Sequence, residues 1–479
     1  MEEYLIDIIN FFFLAFSITL FGMYLFTALL SIMEINRYKN KNYNFYYRSM
    51  LAFPKLPSVS IIAPAYNEEK TIVENIKCLL SVQYVEYDII IVNDGSKDNT
   101  LARIIEHFEL IKVNKAYTKH IECAEIRGIY QSKNKAYSNL IVVDKENGGK
   151  SDALNAGINI SQKDLFLAID VDCIIEPDAI LKMVKPFVDD SKHIVIASGG
   201  VIRIANSCEV TDGRITKVNY PDNFWAKFQV LEYCRAFTLG RMAWSKLNGL
   251  LIISGAFGLF DRRRVLKVGG YDTSSVGEDL ELVVRLRKYM HEVEKKKYKV
   301  AFIPDPLCWT EVPETYKVLS KQRNRWTRGA IDTIKKHRNM FFNKKYGIIG
   351  IASYPYWVFY EWLTPIIEFF GIIFLLFFII WGAISWQIAM IVLLFVMTFS
   401  TLFSSIALFI EAYTYQKYKG FSYLLQSFLF IFLEMFIYQP VNMLFSLSGN
   451  FDYFFRKNSK GWGNMTRKGF LVKEEETIN

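Results

Sequence analysis

Three short runs in this chain carry side chains that could act together on a phosphorylated ligand. Asp170 and Asp172 are one residue apart, and such a carboxylate pair can hold a divalent metal against a diphosphate. Asp279 can accept a proton from an attacking hydroxyl. The run Gln322-Arg-Asn-Arg-Trp326 offers two planar arginine forks to a phosphate and a flat apolar indole face to a sugar ring.

A fourth run, Asn147-Gly-Gly-Lys150-Ser151, looks like a phosphate-binding P-loop. That pattern requires a glycine five residues before Gly149, and Asp144 stands there instead. The sequence therefore excludes a Walker-type ATPase. Lys150 can still meet a phosphate, because it begins a predicted helix whose N-terminal dipole favours negative charge.

These residues need a scaffold, and the sequence around them alternates between strand and helix patterns. Short apolar, β-branched runs recur at 59–63, 88–92, 140–143 and 165–169. Helix-like stretches lie between them, which predicts a mostly parallel α/β sheet with helices on both faces. The polar residues that directly follow strand ends are Tyr66, Asn67, Glu68, Asp94 and Asp170. In an open parallel sheet the ligand crevice lies at those ends, although aspartates that merely cap the core are the alternative interpretation.

Long apolar stretches surround this soluble part. They occupy 4–33, 365–381, 388–410 and 421–447. A helix needs about 20 apolar residues to span a bilayer. The first stretch begins with acidic residues and is too long for a signal peptide, so we expect an anchor. Arg37, Lys39 and Lys41 follow it, which predicts an outside N-terminus and a cytoplasmic domain.

Composition agrees with a chain that contains membrane segments. The chain has 479 residues, of which 52% are hydrophobic, and a net charge of +9. An anionic nucleotide substrate and a membrane-facing surface explain this charge more simply than nucleic acid does. The six cysteines have no paired spacing, which argues against zinc and against a disulfide framework.

The ordered set of motifs resembles glycosyltransferase family 2, and within it the membrane-embedded processive synthases of cellulose, hyaluronan, chitin and poly-N-acetylglucosamine. The matching runs cover about residues 58–330 and are Pro64-Ala-Tyr-Asn-Glu68, Val92-Asn-Asp-Gly-Ser96, Gly149-Lys-Ser-Asp-Ala-Leu-Asn155, Asp170-Val-Asp172, Ser254-Gly-Ala-Phe-Gly258, Gly277-Glu-Asp279, Glu311-Val-Pro-Glu-Thr315 and Gln322-Arg-Asn-Arg-Trp326. The resemblance implies a nucleotide-diphospho-sugar transferase domain of the GT-A type. Gly277 differs from the residues of several relatives, so the motif leaves the donor sugar open.

The resemblance also implies a role for each group of residues. The uridine would be held by Tyr66, Glu68 and Asp94, and the diphosphate by Lys150. Asp170 and Asp172 would carry Mg²⁺ or Mn²⁺, and Asp279, next to Glu278, would be the general base. The pyrophosphate and the acceptor end would meet two groups of residues: Gln322, Arg323, Arg325 and Trp326 in one, and Ser254, Gly255, Ala256 and Phe257 in the other.

The C-terminal part leaves two questions open. If 421–448 spanned the membrane, the basic tail would lie outside, against the charge rule, and Glu434 would be costly in lipid. We therefore favour an interfacial or re-entrant segment over a span. The tail run Trp462-Gly-Asn-Met-Thr466-Arg467 resembles the mobile loop that closes over the nucleotide in related synthases. Glu368 could line a channel or lie near the interface.

The predicted organisation has six parts: a transmembrane helix at 1–35, a cytoplasmic glycosyltransferase domain at 50–315, interfacial helices at 316–362, two transmembrane helices at 363–411, an interfacial or re-entrant segment at 421–448, and a cytoplasmic tail at 449–479. The segment 112–138 matches no motif, and we expect it to be a surface excursion.

The predicted function is processive, inverting polymerisation of UDP-glucose or UDP-N-acetylglucosamine into a β-linked exopolysaccharide that crosses the plasma membrane through the protein. The predicted partners are the UDP-sugar, the growing polysaccharide and the bilayer, with no nucleic acid. A non-processive transfer of one sugar to a lipid acceptor is the alternative. A catalytically silent sensor is less consistent with the complete set of catalytic side chains.

Overall fold

The computed structural model describes residues 2–43, 45, 47–53, 55–211, 213–382, 386–414, 418, 421–456 and 471–472. These residues form two compact units. The first contains the described residues of Met1–Asn40, Lys227–Gly249 and Glu314–Ser459. The second contains those of Lys41–Ala226, Leu250–Pro313 and Lys460–Asn479.

The second unit is built on a ten-stranded mixed sheet and a smaller three-stranded sheet. The strands are β1 Val59–Ala65, β2 Tyr87–Asp94, β3 Leu110–Val113, β4 Ile126–Ser132, β5 Leu140–Lys145, β6 Leu165–Ile169, β7 Ile174–Ile175, β8 Ile194–Ile204, β9 Glu209–Thr211, β10 Arg214–Lys217, β11 Phe257–Asp261, β12 Tyr298–Thr310 and β13 Leu471–Val472. The large sheet has the order β3-β4-β5-β2-β1-β6-β11-β8-β12-β7. Its central strands β5, β2, β1 and β6 are parallel, as predicted, so their carboxyl ends share one edge.

The α-helices of both units are α1 Glu2–Asn42, α2 Ile72–Leu80, α3 Thr100–His107, α4 Lys150–Ile160, α5 Ala179–Asp189, α6 Phe224–Tyr233, α7 Met242–Lys246, α8 Arg262–Lys267, α9 Glu278–Tyr289, α10 Tyr316–Lys336, α11 Tyr354–Tyr356, α12 Thr364–Trp381, α13 Trp386–Thr414, α14 Phe421–Leu433 and α15 Gln439–Phe455. Wider π-helical turns join several of them, including 234–241 between α6 and α7 and 434–438 between α14 and α15.

Burial explains why the central strands form. Every residue of β5 and β6 is buried, as expected for parallel strands covered on both faces. Helix α4 lies against β1 and β2, and Gly157 permits that contact, because a Cβ there would lie 2.3 Å from Ile62 Cγ2. This close packing fixes the N-terminal end of α4, and therefore Lys150, against the strand ends.

The segment 112–138 lies largely at the surface, as we expected, but part of it is built into the large sheet. It contains β4 and the end of β3, which continue the large sheet as antiparallel strands beyond β5. It also packs on α4, since the Asn159 side chain accepts from the backbone N–H groups of His120 and Ile121 at 3.1 and 3.0 Å. The sequence did not indicate these two strands, because edge strands with few apolar residues give a weak periodic pattern.

The first unit contains four helical stretches that are long and apolar enough to cross a membrane: Ile8–Asn42, Thr364–Trp381, Met390–Thr414 and Phe421–Phe455. The protein is accordingly a membrane protein by the length and composition of its helices. The unit also includes residues 227–249, which differs from the predicted uninterrupted domain at 50–315.

An ion pair explains how those residues join the apolar helices. Arg235 Nη1 donates to Glu434 Oε2 at 2.6 Å and to Ser404 Oγ at 2.7 Å, and its Nη2 donates to Glu434 Oε1. Glu434 is buried and does not face lipid. Its charge therefore no longer argues against a span at 421–448, and the choice between a span and a re-entrant segment stays a prediction.

Candidate active site

The loop before α4 is held by one buried aspartate at the end of β2. Asp94 Oδ1 accepts from the backbone N–H of Gly148 at 3.0 Å and from Lys145 Nζ. Its Oδ2 accepts from Gly149 N at 2.8 Å and from Asn147 Nδ2 at 3.2 Å. These four donors match the lone-pair positions of a carboxylate. The contacts of Asp94 therefore favour a loop-holding role over the direct uridine contact that the resemblance implies.

Lys145 is a site residue that the sequence reasoning missed. Its side chain is fully buried, and its Nζ lies 2.7 Å from Asp152 Oδ1 while it also pairs with Asp94. Asp152 in turn accepts from the backbone N–H of Ala124. The available signal in the sequence was a lysine at the end of an apolar strand, three residues before the Gly148-Gly149 pair. Its partners, however, lie elsewhere in the sequence.

Lys150 contacts Asp170, the predicted metal-binding residue that directly follows β6. Its Nζ forms a salt bridge with Asp170 Oδ1 and donates to the carbonyl oxygen of Gly255 at 3.1 Å. Asp170 N also donates to Ala256 O at 3.3 Å. The fold thus brings together Lys150, Asp170 and the 254–257 loop, three features that the sequence placed in separate motifs.

Asp279 lies at the N-terminal end of α9 and reaches the same loop. Its Oδ2 accepts from Gly255 N at 2.9 Å. A Cβ at Gly255 would lie 3.3 Å from that oxygen, so a glycine permits the close approach. Asp279 is half-buried, whereas the neighbouring Glu278 is buried. A partly open carboxylate beside a backbone loop is a suitable place for a general base.

The buried phenol of Tyr271 is affected by three acidic residues of the site. Burial raises the pKa of Tyr271 well above its usual value, and the carboxylates of Glu278, Asp279 and Asp170 raise it further. Tyr271 itself is held by Asn155 of α4, whose Oδ1 accepts from Tyr271 N at 2.7 Å. Asp170, which follows β6, and the first two residues of α9 therefore act on a phenol that α4 holds in place.

Residues after β1 lie at the neighbouring strand end. Tyr66 is 38% exposed, and its ring is therefore accessible to a ligand. Asn67 adopts a positive φ of 56° and accepts from Lys97 N at 2.8 Å. Glu68 N donates to Thr100 Oγ1 at 2.8 Å, which joins this turn to α3. The turn is thereby fixed beside the end of β2, where the predicted nucleotide residues Tyr66 and Glu68 lie.

The Asp170 and Asp172 side chains fit a divalent metal that is shared with a ligand. Both are hard oxygen donors, and Asp170 is more open, with 24% of its side chain exposed, whereas Asp172 is buried. Within the described ranges, no group of three or more His, Cys, Asp or Glu side chains could hold a metal alone. A metal here would need further oxygens, which substrate phosphates supply.

The Gln322–Trp326 run lies on α10 in the first unit. Gln322 is buried, Arg325 is half-buried and Trp326 is 41% exposed. Arg323 is 5% exposed, and its Nη2 donates to Glu232 Oε2 at 2.6 Å. This side chain is therefore engaged inside the first unit, and the phosphate role that we predicted for Arg323 stays a prediction.

Three predicted residues of the closing loop, Trp462, Thr466 and Arg467, lie outside the described residues. Ser254, Gly255 and Ala256 are half-buried and Phe257 is buried at the start of β11. The loop before β11 thus contacts both Lys150 and Asp279 through Gly255, and any ligand-facing role of this run falls to its first three residues.

Family models match most of the chain. Residues 60–247 match Glycosyl transferase family 2, and residues 165–411 match Glycosyl transferase family group 2. Poly-beta-1,6-N-acetyl-D-glucosamine synthase of Staphylococcus aureus strain COL is 29% identical over 58% of this chain. The synthase of Staphylococcus epidermidis strain ATCC 35984 is 30% identical over 62%. The matched part spans 56% and 60% of those two proteins.

A solved structure shows the same fold. The mannosyltransferase from Pyrobaculum calidifontis, in complex with GDP-Man and Mn²⁺, has a TM-score of 0.51 over 90% of this chain and 99% of its own. Its sequence is 14% identical. This likeness supports a nucleotide-sugar transferase fold of the GT-A type.

Proposed function

The chain belongs to glycosyl transferase family group 2, and from that membership we propose that it polymerises a UDP-sugar into a β-linked polysaccharide. The enzyme class itself, a glycosyltransferase, follows from the family. The observation that carries the proposal is that Lys150 and Asp279 both contact the backbone of Gly255, while Asp170 pairs with Lys150 and bonds to the neighbouring Ala256. A cation for a diphosphate, a metal-binding carboxylate and a base lie around one loop.

The proposed chemistry begins with a hydroxyl of the acceptor sugar. Asp279 takes its proton as the oxygen attacks the anomeric carbon of the donor. The bond from that carbon to the diphosphate breaks on the opposite side, and UDP leaves with the electron pair. A single base with one in-line attack inverts the anomeric configuration.

Lys150 offsets the negative charge that develops on the departing diphosphate. Its position on the first residue of α4 adds the helix dipole to its own charge. Asp170 and Asp172 would hold Mg²⁺ or Mn²⁺, which would neutralise diphosphate oxygens when bound. Tyr66 and Glu68 would contact the uridine, with Asp94 holding the adjoining loop.

Two features of the first unit support repeated addition. Trp326 exposes 41% of its surface, so a pyranose ring can stack on it while Gln322 and Arg325 bind nearby. Among the described residues, four apolar helices of spanning length supply a membrane part through which a polymer could leave. We propose a plasma-membrane location with the catalytic domain in the cytoplasm, from the basic residues that follow α1.

The donor that we propose is UDP-N-acetylglucosamine, because the two Staphylococcus relatives are named for a polymer of that sugar. The decisive experiment incubates the purified protein in nanodiscs with radiolabelled UDP-N-acetylglucosamine or UDP-glucose. The product is sized on a gel and digested with β-1,6- and β-1,4-specific hydrolases. Long products that need the N-acetylated donor are expected.

A matched variant, Trp326→Ala, should shorten the products and leave donor binding intact, because only the acceptor surface is removed. One labelled sugar per lipid acceptor, with no longer product, would favour the non-processive alternative. Equal loss of donor binding and of elongation would mean that the indole only packs the unit.

A further inference from the structure

We propose that Glu232 and Tyr438 are positioning residues that hold Arg323 against the indole of Trp326, and so fix the face on which the acceptor stacks. This inference rests on the proposed function. The three holding residues come from α6, from α10 and from the π-helical turn at 434–438. All of them, and Trp326, belong to the first unit.

Helix α6 supplies the base of this arrangement. Phe228 and Glu232 are four residues apart, so they lie on the same face of α6. The Tyr438 ring stacks on the Phe228 ring at a centroid distance of 5.0 Å and an interplanar angle of 15°. Its hydroxyl donates to Glu232 Oε2 at 2.6 Å. Tyr438 is therefore held at both its ring and its hydroxyl.

Arg323 completes a closed triangle with these two residues. Its Nη2 donates to Glu232 Oε2 at 2.6 Å and to the Tyr438 hydroxyl at 3.1 Å. Burial opposes the charge of Arg323, but the Glu232 carboxylate raises the pKa of the guanidinium above its usual value. The cation therefore stays charged inside the unit.

The indole lies directly on this cation. Arg323 Cζ is 4.2 Å from the centroid of the Trp326 ring. At this distance the guanidinium is attracted to the aromatic face. The two residues are three apart on α10, so the helix itself places them side by side. An exposed indole can adopt several rotamers, and this contact favours the one in which the ring faces the guanidinium.

Simple packing would not require this chemistry. Apolar residues of similar volume usually replace a buried ion pair without loss of stability. The Glu232, Tyr438 and Arg323 side chains bond to one another, and Arg323 also lies against an exposed indole. This arrangement is therefore better explained by the orientation of Trp326 than by the stability of the fold. Displacement of a binding group by about 1 Å can reduce a rate about 100-fold.

The test compares Glu232→Gln, Tyr438→Phe and Arg323→Lys. Gln removes the charge at Glu232, Phe keeps the ring stack and removes only the hydroxyl, and Lys keeps the charge and loses the planar fork. The matched control is Glu434→Gln, which breaks the other buried arginine pair of the same unit. Protein labelled with 5-fluorotryptophan is studied by ¹⁹F NMR in nanodiscs, with the Trp326 signal assigned from Trp326→Phe.

Glu232→Gln and Arg323→Lys should shift or broaden the Trp326 signal and reduce elongation by about 10- to 100-fold, more than hydrolysis of the UDP-sugar. Tyr438→Phe should give a smaller change in the same direction. Glu434→Gln should leave the Trp326 signal in place. A Trp326 signal that is unchanged in Glu232→Gln, or that moves equally in Glu434→Gln, would overturn the positioning role.

The NMR readout does not depend on catalysis, so it separates the two proposals. Wild-type protein that polymerises no UDP-sugar would refute the proposed function, while the ¹⁹F spectra would still decide whether Glu232 orients Trp326. If the wild type polymerises the sugar but the Trp326 signal is unchanged in Glu232→Gln, only the positioning role would be refuted.

Discussion

Replacing Asp279 by Asn is expected to abolish sugar transfer while preserving the folded site. The Asn carbonyl oxygen can still accept from Gly255 N, which Asp279 Oδ2 does at 2.9 Å. The amide cannot take a proton at neutral pH. Loss of a general base typically reduces the rate about 10²- to 10⁴-fold, or about 3 to 5 kcal/mol in the activation free energy.

The structure also predicts how Asp279→Ala differs from Asp279→Asn. Ala removes both the base and the acceptor for Gly255 N, and a lost hydrogen bond costs about 1 kcal/mol of stability. Because the Gly255 carbonyl also accepts from Lys150, the loop and the lysine should both loosen. We therefore expect Asp279→Ala to bind UDP more weakly than Asp279→Asn does.

The assay measures turnover with the radiolabelled donor and UDP affinity by calorimetry on the same nanodisc samples. The wild type and Asp279→Asn should bind UDP equally and differ only in turnover. Turnover by Asp279→Asn within a few-fold of the wild type would refute the base assignment. Equal loss of UDP binding in both variants would mean that Asp279 is a structural residue of the loop.

Other changes test the rest of the site and the fold. Asp172→Ala should weaken UDP binding, because the diphosphate would lose a metal anchor, and EDTA should have the same effect on the wild type. If calorimetry shows neither effect, Asp170 and Asp172 have a structural role. Lys145→Met should lower the free energy of unfolding by about 3 to 5 kcal/mol, seen as a lower Tm, because it leaves two buried carboxylates without their cation. Gly449→Val should lower the Tm, since a Cβ there would lie 2.8 Å from a side-chain carbon of α10, whereas Gly22→Ala, with no atom within 4 Å, should not. Burial, and then the charge of Arg287, lower the pKa of His291 from its usual value of 6.5. The unfolded state therefore takes up a proton at a higher pH than the folded state, and the free energy of unfolding should fall as the pH drops below about 6.5. His291→Gln should flatten this pH dependence of the Tm in thermal melts.

The sequence by itself determined the central strands, the helices between them and the order of the chemical motifs. Apolar runs with strand periodicity marked β1, β2, β5 and β6, because such patterns depend only on neighbouring residues. The carboxyl ends of parallel strands share one edge, so the strand pattern was sufficient to place Asp94 and Asp170 there. The apolar stretches likewise indicated the candidate spans by length alone.

Tertiary structure decided which polar groups meet. Lys145 pairs with Asp94 and Asp152, and Arg235 pairs with Glu434, 199 residues away. No local pattern specifies such partners, because each pair depends on which distant segments pack together.

The same reason explains the two differences between the predicted and the observed fold. Strands β3 and β4 join the sheet through backbone hydrogen bonds, which any sequence can make. Residues 227–249 join the apolar helices through the buried pair of Arg235, although their composition is that of an ordinary soluble segment. A pattern of neighbouring residues therefore predicts helices and strands. The partners of Asp94, Arg323 and Glu434 lie far away in the sequence, and only the packing of the folded chain determines them.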